Sequence, residues 1–392
     1  MREAGIVRPP FLDGSHREGR RRPHDRLRRL ARAVLAGCAA LGAPASTHAG
    51  STASARLLYV LNSGSANLSV IDVGSNQPVA TIPTGLRPES LVFSADGSVG
   101  YVSNLLSSSL TVFSTRTGLV VATISVGDGP GILYADRASR SVWVSNSQSD
   151  SVSVVDERSF AVIATIPVGR NPMSIVASSS PRRVFVNCYL GNQLSVIDVT
   201  SMRLVATIPV GQQPLAMGVS GGGREVVIAN FMDDTVTVVD CATLKVRSQV
   251  AVGSNPRDVA ADRNGTSSWI SNFLSPFVSL VDTTQTSGPD HILVGLAPHR
   301  TVLDATGSRA YCVVRSVVGT ESVAAIDTRS RQVVGSVPVG KLPDGLAVSR
   351  FPRRGFVANC LDGTVTVFDT QTLRVVGTVP VGTRPTAVVM GP

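Results

Sequence analysis

Histidine, cysteine and aromatic side chains are all scarce in this chain of 392 residues, which holds five histidines, five cysteines and 5% Phe, Trp and Tyr. Beyond residue 56 the only histidines are His291 and His299. Two histidines cannot build a His-rich metal site, and the chain has neither a Gly-x-Ser-x-Gly nucleophile elbow nor a Gly-rich phosphate loop. Without a Cys-x-x-Cys-His motif, covalent haem attachment is excluded. No stretch reaches the ~18 apolar residues of a spanning helix, so no transmembrane helix is expected. These absences predict no catalytic residue, no metal site and no cofactor.

Small turn-forming residues are abundant instead, with 36 glycines and 23 prolines. Eight times a glycine is followed three residues later by a proline: Gly85/Pro88, Gly127/Pro130, Gly169/Pro172, Gly211/Pro214, Gly253/Pro256, Gly295/Pro298, Gly340/Pro343 and Gly382/Pro385. The step is 42 residues everywhere except between Gly295 and Gly340, where it is 45. Self-similarity at that period marks a repeat architecture. Within the first repeat, Leu57 to Leu61, Leu68 to Asp72, Val79 to Ile82 and Ser90 to Phe93 are short runs rich in Val, Ile and aromatics, separated by Gly, Ser, Asn, Asp or Pro. That pattern reads as four strands per unit and leaves no room for helices.

Four antiparallel strands per ~40–45 residues is the blade of a β-propeller, whose radial repetition protects sheet edges. The expected fold is all-β, with eight blades. If the strand after each Pro is innermost, Thr386 to Met390 completes the sheet begun by Leu57 to Ile82 and closes the ring by pairing the two ends. A seven-bladed ring would leave one set of strands unused.

Aligned repeats assign structural duties. Tyr59, Tyr101, Trp143, Phe185, Val227, Trp269, Tyr311 and Phe356 share one slot and should fill the wedge between blades. Three residues on come Asn62, Asn104, Asn146, Cys188, Asn230, Asn272, Val314 and Asn359, where Asn is expected to hydrogen-bond loop backbone. Asp72, Asp156, Asp198, Asp240, Asp282, Asp327 and Asp369 end a strand, with Ser114 in the same slot, and should hold the following turn rather than act as acids or metal ligands. Cys188, Cys241, Cys312 and Cys360 fall in four different slots, which suits buried small hydrophobes better than a disulfide framework or metal cluster, though Cys312 and Cys360 lie in neighbouring blades and could meet.

The runs Tyr59-Val60-Leu61-Asn62, Tyr101-Val102-Ser103-Asn104 and Phe356-Val357-Ala358-Asn359, with Ser-Val-Ile-Asp at 69–72 and Ala-Thr-Ile-Pro-Val-Gly at 164–169, resemble the YVTN β-propeller repeat family of secreted bacterial and archaeal proteins. The resemblance spans roughly residues 57 to 390 and implies the fold strongly. Its functional implication is coarse, because such propellers include surface-layer and periplasmic proteins with no assigned chemistry.

The first 56 residues are different material. Residues 1 to 32 hold ten arginines against four acidic residues, six of the nine net positive charges. A small apolar stretch from Ala33 to Ala45 follows, then Thr47-His48-Ala49. A basic segment, an apolar segment and small residues at a cleavage site describe a secretory signal, so residues 1–49 are read as leader, 50–56 as linker and 57–392 as propeller. Export to the periplasm or the cell exterior follows. Leu35-Ala36-Gly37-Cys38 resembles a lipobox with Cys38 as the lipidated residue, but its apolar lead-in is short, and ordinary cleavage is the expectation.

Glu89, Arg257, Asp258, His299, Arg300 and Asp344 follow the repeat prolines, at the entry to the innermost strands. There they should ring the channel mouth, able to hold a polar ligand or partner. A solvated rim of mutual ion pairs is the plainer alternative. Three extra residues in the seventh repeat lengthen the loop from Arg315 to Glu321, a candidate partner loop. Loops beginning Leu105-Leu106, Tyr189-Leu190, Phe231-Met232, Phe273-Leu274 and Leu361 add an apolar arc. On the opposite face Arg137, Arg140, Arg182, Arg183, Arg224, Arg263, Arg309, Arg350, Arg353 and Arg354 outnumber nearby carboxylates, a surface for an anionic envelope polymer or simply a solubilising rim. With no interleaved aromatics, sequence-specific nucleic-acid binding is disfavoured. The expectation is a monomeric, exported, non-enzymatic binding or scaffold module of the cell envelope. Its rival is a lactonase-like enzyme or haem-binding domain using the channel mouth.

Overall fold

The computed structural model describes residues 57–262, 265–284, 288–316 and 320–392; the expected leader with Cys38 lies outside them. Among the described residues, every regular element is a β-strand, and the strands form eight antiparallel sheets of four. The first blade joins Leu57–Asn62, Asn67–Asp72 and Gln77–Pro83 to the last strand of the chain, Pro385–Met390. In the register of that closing pair, Tyr59 faces Val389, Val60 faces Val388 and Leu61 faces Ala387. The other seven blades are each continuous in sequence, starting at Pro88, Pro130, Pro172, Pro214, Pro256, Pro298 and Pro343. Eight blades and closure through the chain ends are thus as the repeats require.

The first strands of successive blades pack side by side around the ring, Pro385–Met390 against Pro88–Phe93 on one side and Pro343–Ser349 on the other. They are therefore innermost. The fourth strands are outermost, and their burial shows it: in Val375–Pro380 only Val379 is fully buried. The second and third strands lie between, and their central residues are buried on both faces, which is why they read as Val- and Ile-rich runs.

The hydrophobic core consists of eight clusters, each shared by two blades. Tyr59, Leu61 and Leu68 of the first blade meet Leu91, Val102 and Phe113 of the second. Around the ring the series ends with Phe356, Ala358 and Val365 of the eighth blade against Leu58, Val60 and Ile71 of the first. The aromatic slot is the wedge the sequence implied: Trp143, Phe185, Tyr311 and Phe356 are at most 1% exposed. Truncating such a ring to Ala typically costs about 3–5 kcal/mol, lost transfer energy and a residual cavity together.

The repeat's polar residues fix its loops. Asp72, Asp156, Asp198, Asp240, Asp327 and Asp369 each accept from the N–H and hydroxyl of a Ser or Thr three residues on, at 2.7–3.1 Å. The conserved-slot Asn acts differently from expectation. Its amide donates chiefly to hydroxyls on the next strand: Asn230 to Thr235 (3.0 Å) and Thr237 (2.8 Å), Asn146 to Ser151 (3.0 Å) and Ser153 (2.9 Å). Among the described residues, backbone partners occur at Asn272 with the Phe277 carbonyl and at Asn359 with the Gly340 N–H.

That same amide explains the repeat glycine. A Cβ on Gly211 would lie 2.5 Å from Cγ of Asn230, and one on Gly127 2.6 Å from Cγ of Asn146. The glycine is there so that its loop can lie against the Asn. The residue before each repeat proline is left-handed, as at Arg87 (φ 55°) and Asn255 (φ 53°). Its carbonyl then receives the N–H of the residue after the Asn slot, from Leu105 to Arg87 (3.0 Å) and from Phe273 to Asn255 (3.0 Å).

The four described cysteines are buried free thiols, so Cys312 and Cys360 are not joined. On the face carrying the turns between first and second strands, the arginines are largely engaged. Arg182 pairs with Asp136, Arg354 lies 2.8 Å from Asp369, and Arg183, Arg224 and Arg309 donate to carbonyls of Cys241, Gly221 and Thr370. Several of these bonds cross from one blade to the next. The excess of Arg there serves internal stapling more than an open cationic surface; Arg263 lies outside the described residues.

Candidate functional site

Each innermost strand carries an irregularity that the repeat pattern does not reveal. The register slips immediately after the repeat proline in all eight blades: between Pro88 and Ser90, Pro256 and Asp258, Pro298 and Arg300, Pro343 and Leu346, and equivalently elsewhere. The extra residue of a β-bulge is released from the ladder and its side chain is re-aimed. Glu89, Met173, Leu215, Arg257, His299, Asp344 and Thr386 occupy these positions, with Gly131 in the third blade. The ring of bulges is therefore lopsided in chemistry, apolar or side-chain-free from the third to the fifth blade and polar or charged from the sixth round to the second.

On the charged side the expected residues come together, but buried rather than at a solvated rim. Asp344 is 0% exposed, His299 1% and Arg257 5%. Nδ1 of His299 lies 3.6 Å from Asp344 Oδ1, and Nη2 of Arg315 lies 3.2 Å from Asp344 Oδ2. Phe273 stands edge-on to the His299 ring, centroids 6.2 Å apart, and the Arg257 guanidinium sits 6.0 Å from the same phenyl ring. Asp258 accepts the Thr301 N–H at 2.9 Å. Glu89 stands apart in the second blade, beyond the first, with Arg87 at 3.7 Å.

Arg315 and Glu321, expected to display a partner loop, instead turn inward. Arg315 is 5% exposed and donates through Nε to the Pro343 carbonyl at 2.6 Å, while Glu321 accepts the Leu342 N–H. Both ends of the lengthened loop are thus tied to the start of the eighth blade's innermost strand. The repeat alignment contained this signal. Arg315 occupies the slot of Phe273, Leu105 and Tyr189, the first loop residue after the Asn position, and its N–H bonds to Ala297 as theirs do to the equivalent residues. Arg315 is the one charged residue in a slot otherwise held by Ser63, Leu105, Ser147, Tyr189, Phe231, Phe273 and Cys360. The apolar arc itself is divided: Phe231 is buried, whereas Leu106, Leu190 and Leu361 are exposed. His291, on an outer strand, is an exposed residue packed on Phe277 with Nδ1 3.1 Å from Ser279 Oγ, away from the cluster.

The electrostatics of the cluster follow from burial. Desolvation, then the positive charges of Arg257, Arg315 and Arg300, hold the His299 imidazole well below its ordinary value, so the ring is neutral. Desolvation and the adjacent Arg315 bring Arg257 down to about 10, still charged near neutrality. Burial raises Asp258, opposed chiefly by Arg300.

Satisfaction of these groups is incomplete. Both ring nitrogens of His299, Nη2 of Arg315 and both carboxylate oxygens of Asp344 are buried without a hydrogen-bond partner among the described residues. Arg315 forms an ion pair with Asp344 without hydrogen-bond alignment, and the neutral His299 ring lies beside the same carboxylate without a hydrogen bond to it. Such orphans are uncommon in folded proteins, and here five atoms share one spot. A separate groove of about 550 Å³ lies between outer strands of the second and third blades, lined by Gly127, Ser149, Asp150 and Thr165 among others, and gathers no comparable chemistry. Among the described residues no three metal-ligating side chains converge.

Residues 120–221 match the family model described as a YNCE-like beta-propeller. No curated protein matches the chain in sequence. Among solved structures, the chain is similar to a dihydro-heme d1 dehydrogenase NirN in complex with DHE, with 16% identity over 88% of this chain and 77% of that one and a TM-score of 0.75. Apo AztD from Citrobacter koseri shares 14% identity over 85% of this chain and 96% of its own, with a TM-score of 0.67. Hydrazine synthase of Kuenenia stuttgartiensis shares 16% over 72% and 98%, with a TM-score of 0.58. At such identities the likeness is one of fold.

Proposed function

For a chain that fits the YVTN-type β-propellers at the family level, we propose a non-enzymatic binding module of the bacterial cell envelope, exported by its basic and apolar leader and seating a small polar ligand at the bulged end of its channel. One observation carries the reading: His299, Arg315 and Asp344 hold unpartnered polar atoms in one buried cluster. A scaffold of pure packing would gain by replacing them with apolar residues, since incompletely bonded buried charges destabilise. Symmetry adds support, because the eight equivalent bulges carry polar or charged side chains only from the sixth blade round to the second, and asymmetry on a repeated frame is where function is grafted. The cluster offers no nucleophile and base in contact, which favours binding over turnover.

The test is a thermal-shift screen of small polar compounds against the purified protein and its His299→Gln variant. A compound that raises the melting temperature of the first and not the second supports the reading; stabilisation that survives the substitution refutes it. N-terminal sequencing of secreted material tests the export component, with a start between Ser46 and Gly50 expected and a start at Cys38 indicating lipidation instead.

A haem-type reading has one point in its favour, the neutral His299 with two unpartnered nitrogens on a fold similar to that of NirN. The donor type is suitable, but the ring is 1% exposed, with Asp344 and Phe273 against it, leaving no open face for a macrocycle. The residues therefore do not fit that group as they stand, and the visible spectrum of purified protein checks the point directly.

A further inference from the structure

The innermost strand of the eighth blade, Pro343–Ser349, carries its bulge at one end and at the other turns through Arg350, Phe351, Pro352 and Arg353 into Arg354–Asn359. Seven residues at about 3.3 Å each put the hairpin tip about 20 Å from the bulge, on the opposite face of the ring. Phe351 is 60% exposed and is the one aromatic residue among the exposed large apolar side chains of the described residues. The Arg350 guanidinium lies 5.4 Å from its ring and makes no ion pair or hydrogen bond among the described residues. Arg353 is exposed beside it, with Nη1 donating to Gln371 at 2.7 Å. The base of the hairpin is tied down: the Thr370 N–H donates to the Arg353 carbonyl at 3.2 Å, Ser349 Oγ donates to the Phe351 carbonyl at 3.1 Å, and Arg354 lies 2.8 Å from Asp369. The frame therefore presents the phenyl ring and its flanking guanidiniums to solvent.

Exposed Arg374 adds to the same end of the blade, so Arg350, Arg353, Arg354 and Arg374 meet one carboxylate of their own blade, Asp369. The neighbouring turns add no such excess. In the seventh blade Arg309, Arg329 and Arg331 stand against Asp304 and Asp327, with Asp290 of the sixth blade paired to Arg331, and the first blade contributes Asp72. A soluble polyanion would satisfy the arginines but leave the phenyl ring in water. A purely apolar protein patch would cover the ring but leave the arginines without counter-charge. A phospholipid surface with anionic headgroups answers both, burying apolar side chains at the acyl boundary and attracting Lys and Arg to its phosphates.

We propose that this hairpin docks the protein peripherally on an anionic phospholipid surface, with Phe351 entering the headgroup boundary and Arg350, Arg353 and Arg374 meeting phosphates. Docked this way, the bulged end of the channel points away from the lipid and stays open to solvent, and one strand carries the anchor at one end and Asp344 at the other. A contact of one ring and a few arginines is shallow and reversible. The proposal stands whether or not the channel end holds a ligand.

The test is Trp fluorescence of the full-length Phe351→Trp variant, because Trp143 and Trp269 are buried and the new indole alone reports from the tip. The probes are vesicles of phosphatidylcholine and vesicles of phosphatidylcholine and phosphatidylglycerol in equal parts. With the anionic vesicles the emission is expected to move to the blue, less so as salt is raised, and the unsubstituted chain is expected to show no shift. Adding Arg350→Gln and Arg353→Gln to the Phe351→Trp variant should weaken the titration about 10-fold or more while the melting temperature stays nearly unchanged, since these side chains are exposed. Co-sedimentation of the chain with anionic vesicles without any change in tip emission assigns the contact to the basic leader or another surface and overturns the proposal. Equal shifts with both vesicle types, or a titration untouched by the two Arg substitutions, overturn it as well. A shift produced by soluble polyphosphate and not by vesicles replaces the lipid with a polyanion.

Discussion

Gly211→Ala offers a sharp test of why the repeat glycine is needed. The added methyl would lie 2.5 Å from Cγ and 2.6 Å from Nδ2 of Asn230, distances no neighbour tolerates without moving. Asn230 is fully buried and donates to Thr235 and Thr237, so displacing it strains or breaks two hydrogen bonds. At about 1 kcal/mol per bond, plus about 1–3 kcal/mol for overpacking, the substitution should destabilise by roughly 3–5 kcal/mol. The second half of the test is a double-mutant cycle. Asn230→Ala is destabilising in its own right, but it removes the buried amide and leaves only the Asp233 carboxylate, 2.6 Å from the new methyl, to give way, so Gly211→Ala in that background should cost about 2 kcal/mol less than in the wild type. The coupling should therefore exceed about 1 kcal/mol, within the range found for residues in contact. Gly377→Ala is the control: nothing lies within 4 Å of its added Cβ and its φ is not left-handed, so reduced freedom of the unfolded chain should make it neutral or stabilising by about 0.4–1 kcal/mol. Urea unfolding at constant slope measures all four variants. Equal costs of Gly211→Ala in the two backgrounds, or a Gly377→Ala as damaging as Gly211→Ala, would refute the steric account.

Deleting residues 385–392 should expose the Leu57–Asn62 edge and the cluster behind it, giving a large fall in melting temperature or edge-to-edge association by size-exclusion chromatography; an unchanged monomer would disprove closure by this strand. The imidazole of His299 is held below its ordinary value in the fold and regains that value on unfolding, so the unfolded state binds the extra proton and stability should fall as pH drops below about 6.5. His299→Gln should flatten that segment of a melting-temperature profile, and an identical slope in both proteins would contradict the assignment. A second fall should begin below about pH 4 in both, because turn hydrogen bonds depress Asp96 to about 2 and lower Asp156, Asp198 and Asp240, and their stabilisation is lost as pH falls through those values. Cys241 and Cys312, pushed up to about 12 by burial, should resist a thiol reagent in the native protein and react in denaturant, as peptide mapping can check.

Blade number and ring closure were legible because they depend on the count and phase of repeated strands, which Gly85/Pro88 to Gly382/Pro385 display in the sequence itself. The Asp turns were legible for a similar reason, since their partners lie within a few residues. The Asn slot was read only in part: its hydroxyl partners sit five and seven residues away across a hairpin, and only the register identifies them. Arg257, His299 and Asp344 do gather in the structure, but in a buried cluster and not at the solvated mouth that the sequence suggested. Charged residues after a repeat proline suggest a wet rim until the bulge is seen, and a register slip leaves no residue signature. Arg315 was misjudged as a displayed loop residue because loop length drew more notice than its place in the aligned slot.

Closure through the first blade puts the sequence repeat out of phase with the blade by one strand. A genetic exchange between any two Gly-x-x-Pro loops would remove or add whole blades while leaving the joining sheet, built from Leu57–Pro83 and Pro385–Met390, untouched. The closing strand therefore works as a clasp indifferent to the number of links between its halves. On this account the copy number of the ring can drift by duplication, and what holds it at eight is the fit of neighbouring blades around the axis, together with whatever the charged sector must hold.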